Sequence, residues 1–139
     1  MINALKERIK QTVPELKFVG EAADFQAAAE SNPLVTPACF VLLMDERPGK
    51  SQTDVLVQRV EATVGVAFVV KNLKDTKGAA ARGALDALRK KVKEQVFGWQ
   101  ASAEFDPFER GASRLLAFRD GHVWWQDLYL TSYYDRSLL

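Results

Sequence analysis

The side chains able to carry catalysis are few and scattered. His122 is the single histidine, so a histidine cluster for zinc is impossible and a serine or cysteine nucleophile would have one imidazole partner to choose from. It follows the Asp120-Gly121 turn signal directly, a position that reads as flanking a hairpin rather than as catalytic. Cys39, the single cysteine, opens an apolar run and reads as a small buried hydrophobe with no evident neighbour to activate its thiol. It also excludes an intramolecular disulfide, consistent with folding in a reducing compartment. Carboxylates stand at Asp45-Glu46, Asp106, Glu109 and Asp127. Paired acids divide acid and base roles when their surroundings separate their pKa values, but no spacing here brings two of them together. Asp45 and Glu46 fall where an apolar run meets a loop, as solvated acids do. Asp127 interrupts an aromatic run, where a buried carboxylate needs a charged or hydrogen-bonding partner. Two readings of it stand level: an ion pair across a subunit boundary, or a gatekeeper charge on an edge strand.

Anion and nucleic-acid chemistry fares no better. Arg89, Lys90, Lys91 and Lys93 form a basic cluster, yet Asp86 and Glu94 lie among them on a helical stretch, which fits a solvated face better than a phosphate site. Gly78 and Gly83 lack the Lys-Ser/Thr of a phosphate loop. The aromatic stripe from Trp124 to Tyr134 is of a kind that stacks bases, but it carries no interleaved basic residues. Nineteen basic against eighteen acidic residues leave a formal charge of +1, so no bulk field gathers nucleic acid or anionic lipid. The expectation is a protein with no catalytic centre, metal or cofactor, no specific nucleic-acid binding and no membrane partner.

The elements follow from periodicity. Ile2, Leu5, Ile9 and Val13 recur at helical spacing and stop before Pro14. Lys17 to Ala22 suggests a short strand. DFQAAAES, 24 to 31, suggests a short helix capped by Asp24 and closed by Asn32-Pro33. ACFVLLMDE, 38 to 46, reads as a buried strand, and Arg47 to Thr53 as a flexible loop. From Gln58 to Lys71, alternate residues from Val60 to Val70 are apolar, the mark of a long strand with one face in the core. Residues 76 to 97 return to helical spacing through Ala81, Leu85, Leu88, Val92 and Val96, with Gly98 as C-cap and an Asp86–Lys90 pair on the outer side. Residues 99 to 111 read as a connection to the last elements.

Those last elements are the most distinctive part of the chain. RLLAFRDGHVWWQDLYLTSYY, 114 to 134, holds two of the three tryptophans and all three tyrosines in two runs joined by Asp-Gly, the composition of a type I′ β-hairpin. Its second run is apolar in both registers: Val123, Trp125, Tyr129 and Tyr133 in one, Trp124, Leu128, Leu130 and Tyr134 in the other. A strand sticky on both sides needs two partners. The protein's own core is one, and a neighbouring subunit is the candidate for the second. The fold class is therefore α+β, a single domain over 1 to 139, with a mostly antiparallel sheet of about four strands packed against helices and a C-terminal β-hairpin. A chain of 139 residues, 47% hydrophobic and 27% charged, buries such a core unaided. MINALKERIK lacks the apolar core of a secretory signal, and no run approaches the roughly 18 residues of a membrane span, so folding in the cytoplasm is expected.

Laid out in this order, the chain resembles the small tail terminator proteins of long-tailed bacteriophages and prophages. The resemblance rests on the N-terminal helix ending in VPEL, the strand ACFVLLMDERPG, the strand VGVAFVVKNLKDTKGAAA with its helix ALDALRKKV, and the end FGWQ followed by RLLAFRDGHVWWQDLYLTSYY. It implies a structural role: a homohexameric ring on the end of the tail tube that stops tube growth and presents a surface for head joining. The implied partners are the protein itself, the tail tube protein and a head-completion or connector protein. The implied location is the host cytoplasm during assembly and then the virion tail. Interface candidates are Trp124, Trp125, Asp127, Tyr129, Tyr133 and Tyr134 on the hairpin, with Arg47 and Lys50 from the loop, since aromatics and arginine anchor interfaces. Half of the aromatics must fill the core if their strand is central. Two other readings are another neck or tail-completion protein of the same particle, and a small-molecule-binding domain or enzyme with a pocket between the long helix and the sheet.

Overall fold

The computed structural model describes residues 1–71 and 79–139. Its elements are α1 (Ile2–Thr12), β1 (Phe18–Gly20), α2 (Ala22–Ser31), β2 (Ala38–Pro48), β3 (Val57–Lys71), α3 (Ala79–Val96), β4 (Glu109–Arg119) and β5 (His122–Arg136). The strands form one sheet in the order β1-β2-β3-β5-β4, antiparallel throughout except for the β1–β2 pair. The sheet has five strands rather than about four because the short segment near Lys17 joins its edge, Phe18 to Gly20 lying against Ala38 to Phe40.

Local chemistry sets the boundaries. α1 closes through the amide of Val13 donating to the Ile9 carbonyl at 2.9 Å, just before Pro14. α2 starts two residues earlier than its sequence suggests. Glu21 is the N-cap, and Asp24 is the third helical residue of a capping box whose Oδ2 accepts the Glu21 amide at 2.9 Å. Gly98, with φ of +86°, turns the chain out of α3. The start expected for this helix at residue 76 lies outside the described residues. The Gly98 amide then donates to the Phe108 carbonyl and the Phe108 amide to the Trp99 carbonyl, so the connection to β4 is itself held in place. Asp120 and Gly121, both at positive φ, make the tight turn between β4 and β5.

Two boundaries depart from the expectation for physical reasons. Arg47 and Pro48 are strand, not loop: after a register shift between Leu43 and Asp45, the segment Asp45–Pro48 pairs with Val60–Thr63. A bulge at Met44, between the Leu43–Val64 and Asp45–Thr63 pairs, makes that continuation possible, and its side chain packs against Gly65, the partner of Leu42; a Cβ there would stand 3.1 Å from Met44 Cγ and Sδ. β4 begins at Glu109, inside the stretch read as a connection, and carries two register shifts of its own against β5.

One face of the sheet is covered by α1 and α3. Leu5, Ile9, Leu85, Leu88, Val92 and Val96 meet Val41, Val64, Val66, Phe68, Val123 and Tyr129 in a continuous apolar seam. Each such side chain contributes about 1.5–3 kcal/mol on burial, which makes this seam the main tie between helices and sheet. α2 crosses the opposite face at the end nearest the β4–β5 turn, where Phe25 and Ala28 pack with Phe40, Ala67, Val69 and Trp124. Towards the other end, that face has no helix over it among the described residues.

Candidate assembly interface

β5 is an interior strand, paired along its whole length with β3 from His122 against Lys71 to Arg136 against Val57. Alternation then decides the fate of each aromatic. The register containing Val123, Trp125, Tyr129 and Tyr133 faces α1 and α3. The register containing Trp124, Leu128, Leu130 and Tyr134 faces the α2 side.

At Trp124 the second partner of this strand is the chain's own α2. Trp124 is buried, edge-on to Phe25 at 5.9 Å, with the Arg119 guanidinium 5.0 Å over its ring. Tyr129 is buried in the main core, and burial pushes its phenol up to about 12. Tyr133 is half-buried, packed edge-on to Phe105 at 5.4 Å, and its hydroxyl donates to Glu46 Oε1 at 3.2 Å. Trp125 is half-buried with the Arg89 guanidinium 4.7 Å above its ring.

Asp127 lies on the core side of β5, 3% exposed. Arg89 of α3 grips it with two nitrogens, Nε to Oδ2 and Nη2 to Oδ1, each at 2.9 Å, and Trp125 Nε1 donates to Oδ1 at 2.9 Å. Burial raises the pKa of this carboxyl, but the hydrogen bonds from Arg89, Ser113 and Trp125 outweigh it and hold the group below the usual aspartate range. The counter-charge is thus intramolecular, and the strand is not an edge. Neither reading drawn from the sequence fits: Asp127 ties the long helix to the sheet inside one chain. Arg89 correspondingly leaves the solvated face assigned to its cluster, and Asp86 leans on Arg89 at 3.8 Å rather than on Lys90. Lys91 holds Glu15 at 2.5 Å. The only warning in the sequence was a carboxylate in an aromatic strand. Choosing its partner among nineteen basic residues needed the fold.

The remaining candidates reach solvent at the end of the sheet away from the turn. Tyr134 is 55% exposed and lies across from Arg59 in the β3–β5 pair. Arg47 is exposed and paired with Asp45 at 2.9 Å, and Lys50 is exposed just beyond β2. Arg47 lines an open, polar hollow of about 340 Å³ with Arg59, Glu61, Asp106, Leu130 and Ser132. Within it Arg59 meets Asp106 at 3.1 Å, and the Ser132 hydroxyl donates to the same carboxylate at 2.5 Å. Arg59, Glu61 and Asp106 were not singled out as contacts from the sequence, where nothing distinguishes them from other surface charges. Val55 and Leu56 add exposed apolar surface at this end. Among the described residues, no group of three or more His, Cys, Asp or Glu side chains is placed to hold a metal, and no helix is long and apolar enough to cross a membrane.

Comparison with known proteins bears on this arrangement. Among curated proteins none matches the chain. In the solved virion of a native gene transfer agent particle, one chain has the same fold, with a TM-score of 0.55 over 96% of either chain at 11% identity. The family model for the phage tail terminator protein matches residues 2–137, from the first residue of α1 to beyond the end of β5. The chain belongs to the phage tail terminator protein family, whose members are structural components of phage tails.

Proposed function

We propose that this protein is a tail terminator in the full sense: its copies form a homohexameric ring on the end of the completed tail tube, stop further tube addition and present the surface on which the head is joined. The observation that carries the reading is the family match across residues 2–137. The surface chemistry is in keeping with it. A ring closes through heterologous contacts, so each subunit must offer two different surfaces, and this sheet has unlike edges and one face open beyond α2. Tyr134, Arg47 and Lys50 are the contacts we assign to partners at the open end, with the tail tube protein and a head-completion or connector protein as those partners. Trp124, Asp127 and Tyr129 act instead from inside the subunit, and Trp125 and Tyr133 mostly so. The role needs no catalytic centre. Assembly in the host cytoplasm followed by incorporation in the virion tail follows from it.

The test is a tail preparation made without this protein. Tubes of irregular length that fail to join heads are expected, with both defects repaired by adding the purified protein. Uniform tubes that join heads normally in its absence would overturn the proposal.

A further inference from the structure

The two long edges of the sheet differ in charge. On the helix side of the β4 edge, the outer stripe of α3 and the first residues of β4 enclose a hollow of about 400 Å³ lined by Asp86, Arg89, Lys90, Lys93 and Arg110 over Asp127 and Tyr129. Arg89 and Asp127 neutralise each other, and Asp86 also leans on Arg89. Lys90, Lys93 and Arg110 make no ion pair among the described residues, so three cations face one hollow without an internal counter-charge. Beside it, Leu115 and Phe118 of β4 lie on the same side of the sheet, opposite Trp125 and Val123, and are 54% and 53% exposed. Cations set next to exposed apolar side chains are the composition of a protein–protein contact; a site for phosphate alone has no use for the apolar part.

At the other edge, β1 covers β2 only as far as Phe40, and Val41–Pro48 has no strand outside it among the described residues. There Leu43 and Met44 are 46% and 47% exposed and are followed at once by Asp45 and Glu46. Asp45 is already paired with Arg47 at 2.9 Å, and Glu46 accepts only the Tyr133 hydroxyl, so Leu43, Met44 and a Glu46 carboxylate without an ion pair among the described residues stand on the edge opposite the cationic hollow. Within one chain β3 and β5 lie between them, so they can meet only between copies. The chain as a whole has a formal charge of +1. The hollow is itself net positive by two, four cations against two carboxylates, so the rest of the chain sums to −1, a balance that suits a second copy as its occupant. A two-fold contact of hollow against hollow would set cation against cation.

We propose that the cationic α3–β4 hollow of one copy receives the acidic β2 edge of the next, Leu43 to Glu46, so that opposite edges of the sheet join head to tail around the ring. This rests on the ring reading above and adds which surfaces meet.

The test is cross-linking of the full chain on tail tubes, with cysteines placed by Arg110→Cys and Glu46→Cys and joined by a short bismaleimide; Cys39 is buried and stays silent. The variant carrying both substitutions is expected to give a ladder of covalent oligomers up to the closed ring. Either substitution alone is expected to give monomers. Rings that assemble without the ladder, or dimers from Arg110→Cys alone, would overturn this contact while leaving the terminator reading intact. Cross-linking of the Arg110→Cys variant to the tube protein instead would do the same, as would a double-stranded oligonucleotide bound by the parent and lost on Lys90→Glu/Lys93→Glu. A failure to find any ring on capped tails would remove both proposals. As a second readout, Arg110→Glu and Glu46→Arg are each expected to weaken ring assembly about tenfold, and their combination to restore most of it, as for charges that face one another.

Discussion

Removing Arg89 should be among the most damaging single changes available in this protein, and for a reason that a pH series can isolate. Arg89→Ala takes away the bidentate partner of a carboxylate only 3% exposed, leaving Asp127 with the Trp125 indole and whatever Ser113 supplies. Breaking a buried pair by deleting one member costs about 3–5 kcal/mol, because the other charge stays behind. Loss of the guanidinium over Trp125 adds about 0.5–1 kcal/mol. At about 3 °C per kcal/mol for a chain of this size, the melting temperature should fall by about 10–18 °C. Asp127→Asn should cost less, about 1–2 kcal/mol, since the Arg89 side chain is already 23% exposed and can turn to solvent. Replacing both, Arg89→Met with Asp127→Leu, should return to within about 1.5 kcal/mol of the parent.

The sign with pH follows from the depressed pKa of Asp127. In the parent, its stabilisation is present above the unfolded value of about 3.9 and is lost as pH falls through the folded pKa. In Arg89→Ala, burial is no longer outweighed, the folded pKa rises, and the carboxyl takes up a proton more readily than in the unfolded chain. The penalty measured by urea denaturation should therefore be largest near neutral pH and shrink towards about pH 4. A penalty below about 1 kcal/mol at neutral pH, or one unchanged at pH 4, would refute the assignment of this pair as the tie between helix and sheet.

Three further outcomes are expected. Gly20→Ala should destabilise by about 1–3 kcal/mol in a thermal melt, because the new Cβ would stand 2.7 Å from Asp24 Oδ2 and 2.8 Å from Asp24 Cβ, inside the capping box of α2. Cys39, buried and with its thiol pushed up by that burial, should react with a thiol reagent only at the rate of unfolding, rising with urea; fast labelling of the native protein would contradict its place in the core. Trp124→Ala should cost about 3–5 kcal/mol of stability, whereas Tyr134→Ala should leave the melting curve within about 0.5 kcal/mol of the parent and lower tube capping; the reverse pattern would mean that core and contact residues have been exchanged.

Elements with strong periodicity were legible without coordinates. The apolar spacing of residues 2–13 and 81–96 and the alternation from Val60 to Val70 are one-dimensional records of which face is buried. The two registers of β5 were likewise correctly separated. What escaped was whatever depends on a partner distant in sequence. Arg47 and Pro48 look like loop because no local signal announces that β3 is long enough to pair with them. That Trp124, on the second sticky side of β5, is met by α2 was not legible, because nothing in the stretch 24–31 says that the helix lies across it. Asp127 and Arg89 stand 38 positions apart, and only the packing of α3 on the sheet brings them together. Arg47 and Lys50, named from the sequence, lie exposed at the open end, but Arg59, Glu61 and Asp106 beside them have no pattern to betray them.

The uneven cover on the sheet has a mechanical meaning. β3 and β5 run together for fifteen residues each, clamped between helices on both faces near the β4–β5 turn and backed on one face alone at the far end. Such a subunit is a lever with a stiff root and a compliant tip. Amides of Val64–Val70 and Val123–Tyr129 should exchange with deuterium only through global unfolding, while those of Val57–Ala62 and Thr131–Arg136 open by local fraying at far lower free energy. In the ring proposed above, a tip that yields can settle against surfaces that do not share its geometry, while the root keeps its neighbours in register.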